Sequence, residues 1–180
     1  MPPGQMVAGW QKASRKFLVN FYNNEKSMQK VEWSEKYQIG INVIDGQHKR
    51  IVDYINMLAE IESGNSEMQL AEIVDALLDY TYSHFAFEEV LMEEAGYEGL
   101  NFHQQTHEAF TQKIKTLHQR FLDGENISDE IGEVLKNWLL NHIMEDDRSY
   151  APIVRNKISA IESKESGNWL SKTIGRFFRD

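Results

Sequence analysis

Four long stretches of the sequence repeat apolar residues with the period of an α-helix, and no proline interrupts them. The three prolines are Pro2, Pro3 and Pro152, so nothing between residues 4 and 151 forbids helix. The stretches cover residues 45–64, 66–96, 101–124 and 128 to about 150, joined by short loops. No segment shows the convincing alternation of a β-strand. The pattern predicts an all-α protein with an antiparallel up-down-up-down four-helix bundle.

Short basic amphipathic segments extend the chain on both sides of this bundle. We expect an N-terminal extension at 1–30, the bundle at 31–153 and a C-terminal extension at 154–180. Residues 23–36 and 155–167, rich in Asn, Ser, Glu and Lys, have the composition of linkers. The apolar faces of the extensions fit two interpretations, either packing on the bundle or binding to a membrane surface or a partner.

Composition and charge exclude several classes of protein. The chain has no cysteine, which rules out disulfides, thiolate metal sites and a cysteine nucleophile. The net charge of −9 combines +4 in residues 1–30, −16 in 31–150 and +3 in 151–180, so most of the surface repels nucleic acid. No apolar run is long enough to span a membrane. The N-terminus lacks the apolar core of a secretory signal, and we therefore expect a cytoplasmic protein.

Histidines are distributed over all four predicted helices, and two pairs have the spacing of metal ligands. His84 and Glu88 are four residues apart, as are His103 and His107. Residues at i and i+4 share a helix face, with Cβ atoms about 5–6 Å apart. His48 on the first helix and His142 on the fourth would complete a site with ligands from every wall of the bundle. His118, with charged and polar neighbours, is expected to be a surface residue.

The types of ligand restrict the metal. Imidazoles and carboxylates without sulfur exclude iron–sulfur clusters and zinc fingers, and so many nitrogen ligands do not suit magnesium or calcium. One ion cannot use five histidines and two carboxylates, whereas two ions bridged by carboxylates can. Iron or manganese is the usual metal of such a pair in a helical bundle.

The motifs IDGQHKR, HFAFEE, HQQTH and NWLLNHIMEDDRSY, in this order, resemble those of the hemerythrins, in particular the bacterial ones. The resemblance covers about residues 31–153. It implies two iron ions per chain joined by an oxo or hydroxo bridge. It also implies the following ligands: His103, His107 and His142 on one iron, His48 and His84 on the other, and Glu88 and Asp147 bridging both.

Helix geometry and the resemblance differ at the last of these ligands. On a regular α-helix, Asp146 at i+4 or Glu145 at i+3 would share the face of His142. Asp147 at i+5 would be turned away from that face by about 140°. The resemblance indicates Asp147, and we therefore expect a local distortion or an end of the helix there.

The resemblance implies reversible binding of dioxygen at the iron with fewer protein ligands, for storage, buffering or delivery. Trp138 and Leu139, one turn before His142, are expected to form the wall of the dioxygen pocket. An oxygen or redox sensor stays open as an alternative, and so does a di-iron peroxidase, oxidase or nitric-oxide reductase. No additional acid–base residue accompanies the motifs, which favours a binding protein over an enzyme. The basic ends could direct delivery to a membrane-bound oxygen-consuming enzyme.

Overall fold

The computed structural model describes residues 29–60, 67–125, 127–162 and 169–178, and every regular element in these ranges is helical. A 3₁₀ turn at Glu35–Tyr37 precedes α1 (Asn42–Glu60), α2 (Glu67–Ala95), α3 (Leu100–Leu122), α4 (Ser128–His142), α5 (Arg148–Glu162) and α6 (Trp169–Phe177). A π-helical turn, Ile143–Asp147, joins α4 to α5. The prediction of an all-α protein is confirmed.

Four helical rods surround one core, the fourth being α4 and α5 joined through the π-helical turn. Helix α1 contacts α2 and α4, α2 contacts α3 and α5, and α3 contacts α4. Ile51 and Ile55 on α1, Leu91 on α2, Ile114 on α3 and Ile131 on α4 are almost completely buried. These residues belong to the apolar stripes of the sequence, because the helical repeat brings them to one face of each rod. The antiparallel order of the rods stays a prediction.

The chain ahead of α1 is fixed to the bundle by hydrogen bonds. The N–H of Val31 donates to Oδ1 of Asn56 (2.8 Å), and Nδ2 of Asn56 donates to the carbonyl of Val31 (3.0 Å). In the first turn of α1, the carboxylate of Asp45 accepts from the N–H of Ile39 (2.8 Å). Val31 and Ile39 are themselves buried, so this segment contributes to the core.

The prediction of linkers at 23–36 and 155–167 is wrong for the residues of these segments that the structure describes. Residues 29–36 lie in the fixed segment just described, and residues 155–162 belong to α5. Val154 and Ile158 continue the apolar stripe of the fourth rod, and this is why the helix does not end near residue 150. Residues 23–28 and 163–167 lie outside the described ranges.

The C-terminal helix α6 packs its apolar face against the bundle. The rings of Phe177 and Phe178 contact the ring of Phe87 on α2, with centroids 5.9 and 5.6 Å apart. Lys172 and Arg176 remain exposed. Of the two interpretations of this segment, the structure shows packing on the bundle. Residues 1–28 of the predicted N-terminal extension lie outside the described residues. None of the helices described is long and apolar enough to cross a bilayer.

Candidate metal centre

The seven predicted ligands meet in the interior of the bundle, and none is more than 3% exposed. They come from every rod: His48 from α1, His84 and Glu88 from α2, His103 and His107 from α3, His142 from α4 and Asp147 from the π-helical turn. His118 lies apart from them, in an ion pair with Asp75 of 3.0 Å. It is a partly exposed residue, as predicted.

The donor atoms form two groups that share one carboxylate. In each group the atoms lie within 4.8 Å of one another. The larger group contains His103, His107, His142 and Glu88, and the smaller contains His48, His84 and Glu88. In the larger group the Nε2 atoms of His107 and His142 are only 3.0 Å apart, so both point at the same small volume.

Both carboxylates face the two groups at once. Oδ2 of Asp147 lies 3.2 Å from Nε2 of His48, and its Oδ1 lies 3.1 Å from Nε2 of His142. Oε1 of Glu88 is 3.7 Å from Nε2 of His48, and its Oε2 is 3.5 Å from Nε2 of His107. Asp147 thus presents one oxygen to each histidine group, and Oε2 of Glu88 lies between the groups, since it is also 3.7 Å from Nε2 of His84. Carboxylates placed between two histidine groups in this way are suited to bridging two ions.

The π-helical turn explains how Asp147 reaches this position. In a π-helix the hydrogen bonds run from i to i+5, so residue i+5 returns to the face that i+4 occupies in an α-helix. The turn covers residues 143–147, directly after His142. The expected distortion of the helix is confirmed. Asp146, which regular spacing favours, also contacts His142, but at the outer ring nitrogen.

Three imidazoles are fixed by acceptors at their outer nitrogen, Nδ1. The pairs are His84 with Gln47 (2.9 Å), His107 with Glu89 (2.9 Å) and His142 with Asp146 (2.8 Å). An acceptor at Nδ1 keeps the proton there, which leaves the lone pair of Nε2 directed inward. Sequence reasoning missed Gln47, and it did not distinguish Glu89 from the neighbouring acids of α2 as the partner of an imidazole. Their only signal was their position next to a predicted ligand.

The burial of the cluster sets its charges. Burial lowers the pKa of His84 to about 3, although Glu88 opposes the shift. Burial raises the pKa of Glu88, but His84 and the other imidazoles outweigh this and hold it well below its usual value. Burial also lowers the pKa of His142, yet Asp147 and Asp146 outweigh it and raise that pKa to about 10. A metal ion that binds at His142 therefore displaces a proton.

Tyr150 supports the shared carboxylate from α5. It is fully buried, and its hydroxyl donates to Oε1 of Glu88 at 2.5 Å. Burial and the nearby charge of Glu88 raise the pKa of Tyr150 well above its usual value, so the phenol keeps its proton. The hydrogen bond orients the carboxylate and leaves Oε2 directed at the histidines.

Aromatic rings enclose the larger group. The ring of Trp138 stacks on His142 at 4.2 Å and on Phe110 at 3.7 Å, and Phe85 stacks on His107 at 3.7 Å. Trp138 thus lies beside the three-histidine group, whereas the open position is expected at the two-histidine group. Leu139 is buried in the core. The role of Trp138 and Leu139 in a dioxygen pocket stays a prediction.

The residues present fit a pair of metal ions. In the described part of the chain, eight buried side-chain atoms have no hydrogen-bond partner, and seven belong to this cluster. They are Nδ1 and Nε2 of His48, Nε2 of His84 and His103, Oε2 of Glu88, and Oδ1 and Oδ2 of Asp147. Burying such atoms without a partner is costly, and coordination removes the cost for all of them except Nδ1 of His48, which points away from the centre when Nε2 is the ligand. Imidazole and carboxylate without sulfur suit iron or manganese.

Comparisons with known proteins agree with this geometry. Residues 39–154 match the family described as "Hemerythrin HHE cation binding domain". A bacteriohemerythrin of Pseudomonas paraeruginosa is 44% identical over 147 residues, covering 81% of this chain and 96% of its own. One of Stenotrophomonas maltophilia is 43% identical over the same length. A wild-type hemerythrin crystal structure superposes with a TM-score of 0.66 and 28% identity, over 70% of this chain and 98% of its own. The chain belongs to the hemerythrin family.

Proposed function

We propose that this protein binds dioxygen reversibly at a non-heme di-iron centre and so stores, buffers or delivers the gas. The observation that carries the proposal is a pair of histidine groups, three and two, that share the carboxylates of Glu88 and Asp147. We assign His103, His107 and His142 to one iron, and His48 and His84 to the other. Glu88 and Asp147, together with an oxo or hydroxo group, bridge the two. The iron with fewer protein ligands keeps a position for dioxygen.

When bound by these residues, a pair of ferrous ions would supply electrons to dioxygen and take them back on its release. The chain contributes fixed ligands and a dry environment. Gln47 and Glu89 hold the rings of His84 and His107, so the inward nitrogens need no reorientation when a ligand binds. Phe85, which is buried and stacks on the ring of His107, excludes water from this side of the cluster.

The surroundings of the cluster favour binding over catalysis. The described residues include only two further buried polar side chains in this part of the core, and both are engaged: Gln47 bonds to His84, and Thr81 donates to the carbonyl of Leu77. The buried phenol of Tyr150 is held by Glu88. Apart from the assigned ligands, the described residues around the cluster include no unengaged buried acid to protonate the bound gas, and proton delivery is what reductive chemistry on dioxygen needs.

Delivery to a membrane is not part of this proposal. The apolar face of α6 is covered by its contacts with Phe87 and Tyr80 on α2. That face is therefore not free to enter a lipid surface while the helix stays docked. The charged face of α6, with Lys172 and Arg176, is the part that solvent reaches.

Metal analysis combined with repeated oxygenation tests the function. We expect two irons per chain and a colour change that appears when the reduced protein meets oxygen and reverses on degassing over many cycles. Conversion to the ferric form with release of peroxide in every cycle would contradict reversible binding and favour an enzyme. A protein isolated without iron, and unable to take up ferrous ions, would overturn the assignment of the centre.

A further inference from the structure

We propose that the outer partners of the histidines make the two iron sites unequal. When the centre has lost one electron, the three-histidine group holds the ferric ion and the two-histidine group keeps the ferrous ion. The inference rests on the proposed function, because it needs the irons. It goes beyond that function by naming the side chains that decide which iron is oxidised first. These positioning residues are Glu89, Asp146 and Gln47.

Carboxylates lie against the outer nitrogens of the three-histidine group. Nδ1 of His107 is 2.9 Å from Oε1 of Glu89, and Nδ1 of His142 is 2.8 Å from Oδ2 of Asp146. The side chains of Glu89 and Asp146 are 26% and 29% exposed, so both carry their charge at neutral pH. An anionic acceptor at Nδ1 makes the imidazole a stronger electron donor at Nε2. This group therefore has two negative charges behind its rings.

The two-histidine group has no such charge behind its rings. The acceptor at Nδ1 of His84 is the neutral amide oxygen of Gln47, at 2.9 Å. Nδ1 of His48 is buried and has no hydrogen-bond partner within the described chain. Asp45, on the helix that carries His48, directs its carboxylate to two backbone N–H groups of the preceding segment. The imidazoles of this group are thus the weaker donors.

The carboxylates between the two groups do not offset this difference. Asp147 has one oxygen 3.2 Å from Nε2 of His48 and the other 3.1 Å from Nε2 of His142, so the two sites share its charge almost equally. Oε2 of Glu88 lies 3.5–3.8 Å from imidazoles of both groups. A ferric ion carries more positive charge than a ferrous ion and gains more from nearby negative charge. The site with two additional carboxylates is therefore oxidised first, and the site expected to bind dioxygen stays ferrous.

The fold fixes both charged acceptors in place. The π-helical turn puts consecutive carboxylates at opposite sides of one ring, with Asp146 at Nδ1 and Asp147 at Nε2 of His142. Glu89 is held from α3, where Nε2 of Gln104 donates to its Oε2 at 3.1 Å. Both acceptors therefore stay at the outer nitrogens although solvent reaches them.

The separation between the two one-electron oxidation steps tests the inference. The iron-loaded, fully reduced full chain is titrated without oxygen with ferricyanide, which takes up one electron and becomes ferrocyanide. Low-temperature electron paramagnetic resonance measures the amount of the mixed-valence form at half oxidation. That amount gives the comproportionation constant, which is larger when the two steps are further apart.

Substitutions behind the two groups should change this constant in the same direction. Asp146→Asn and Glu89→Gln remove negative charge behind the site that is oxidised first, so the first step becomes harder and approaches the second. Gln47→Glu adds negative charge behind the other site, so the second step becomes easier and approaches the first. We expect the constant to fall about tenfold in each variant, since the loss of an outer partner changes metal affinity by about 10–100-fold.

Two substitutions away from the cluster are matched controls for the change in charge. Asp75→Asn removes a carboxylate that is paired with His118, and Gln112→Glu adds one on the exposed face of α3. Both should leave the constant unchanged. If the two-histidine group held the ferric ion instead, the substitutions at Asp146, Glu89 and Gln47 would move the two steps apart. A constant that rises, or that equals the wild-type value in variants that keep both irons, would overturn the inference.

Iron content and the reversible oxygen spectrum are measured on every sample. If the wild-type chain holds two irons and binds oxygen reversibly but its mixed-valence form does not exceed the statistical amount, the inference is wrong and the proposed function stands. A wild-type chain that takes up no iron overturns both. If one variant loses its iron, the direction of change in the other two decides. Loss of iron from all three would show that these side chains retain the irons rather than distinguish them, and would also refute the inference.

Discussion

Removal of the metal is the perturbation whose effect follows most directly from the structure. Seven atoms of the cluster are buried and have no hydrogen-bond partner within the described chain. Coordination satisfies six of them, all except Nδ1 of His48, and its loss leaves these six in an apolar interior. The two carboxylates would also face each other across the cluster, since each lies within 3.7 Å of His48. We therefore expect the iron-free protein to be much less stable than the loaded one.

The size of the effect can be estimated from these atoms. A buried group without a partner costs about 1–3 kcal/mol, so the six atoms that coordination satisfies cost about 6 kcal/mol at the low end. Entry of water and rotation of side chains recover part of this, and we expect a net loss of at least about 4 kcal/mol. A domain of this size is stable by about 5–15 kcal/mol and shifts its Tm by about 2–4 °C per kcal/mol. The Tm should fall by about 8–16 °C or more.

Thermal unfolding followed by circular dichroism measures this difference after chelation of ferrous iron under anaerobic conditions. Returning ferrous iron should restore the original Tm, which separates metal loss from damage to the protein. His118→Ala is the matched control, because His118 lies outside the cluster and its loss should leave the chelation shift unchanged. A Tm that changes by less than about 2 °C on complete removal of iron would refute the reasoning, because it falls far below the expected loss of about 4 kcal/mol.

Three substitutions test individual contacts. Glu88→Gln should lose one or both irons, because a neutral amide is a poor bridge, and full retention in metal analysis would show that the bridge assignment is wrong. Asp146→Asn removes the carboxylate at Nδ1 of His142 and should weaken iron binding by about 10–100-fold in a competition titration; equal affinity would exclude this role. Phe177→Ala removes a partly buried ring from the α6 contact and should cost about 1.5–2.5 kcal/mol in urea unfolding, about half of a full core truncation. Lys172→Ala, on the exposed face of the same helix, should cost nearly nothing, and a similar loss in both variants would argue against docking of α6 by its apolar face.

The positions of the main helices and the helix face of most donor residues could be predicted from the sequence because both follow from the helical repeat, whereas Asp147 and the full set of seven were implied by the resemblance of the motifs. Apolar residues such as Ile51 and Ile55 recur on the inward face of α1. The pair His84 and Glu88 falls one turn apart on the inward face of α2. The sequence also indicated the π-helical turn, because Asp147, the ligand implied by the resemblance, does not fit the regular α-helical spacing after His142. The mismatch between a motif and the α-helical period predicted the distortion.

The end of the fourth rod was predicted less well. Residues 155–162 have the composition of a linker, yet they form helix because Val154 and Ile158 pack against the bundle. Local composition competes here with burial of a few apolar side chains, and burial decides. The same holds for α6, for which the sequence allowed both packing on the bundle and binding elsewhere.

The sequence by itself determined the helical rods, the inward face of each rod and most of the donor residues on those faces, because a repeat of 3.6 residues is a local property of the chain. Asp147 departs from that repeat and was indicated by the resemblance of the motifs. Only the tertiary structure decided which residues meet across rods. Gln47 reaches His84 from another helix, and Tyr150 reaches Glu88 from a third. Such contacts depend on how far each rod is rotated and shifted against its neighbours. That packing results from the shapes of many side chains at once, and no spacing within a single helix encodes it.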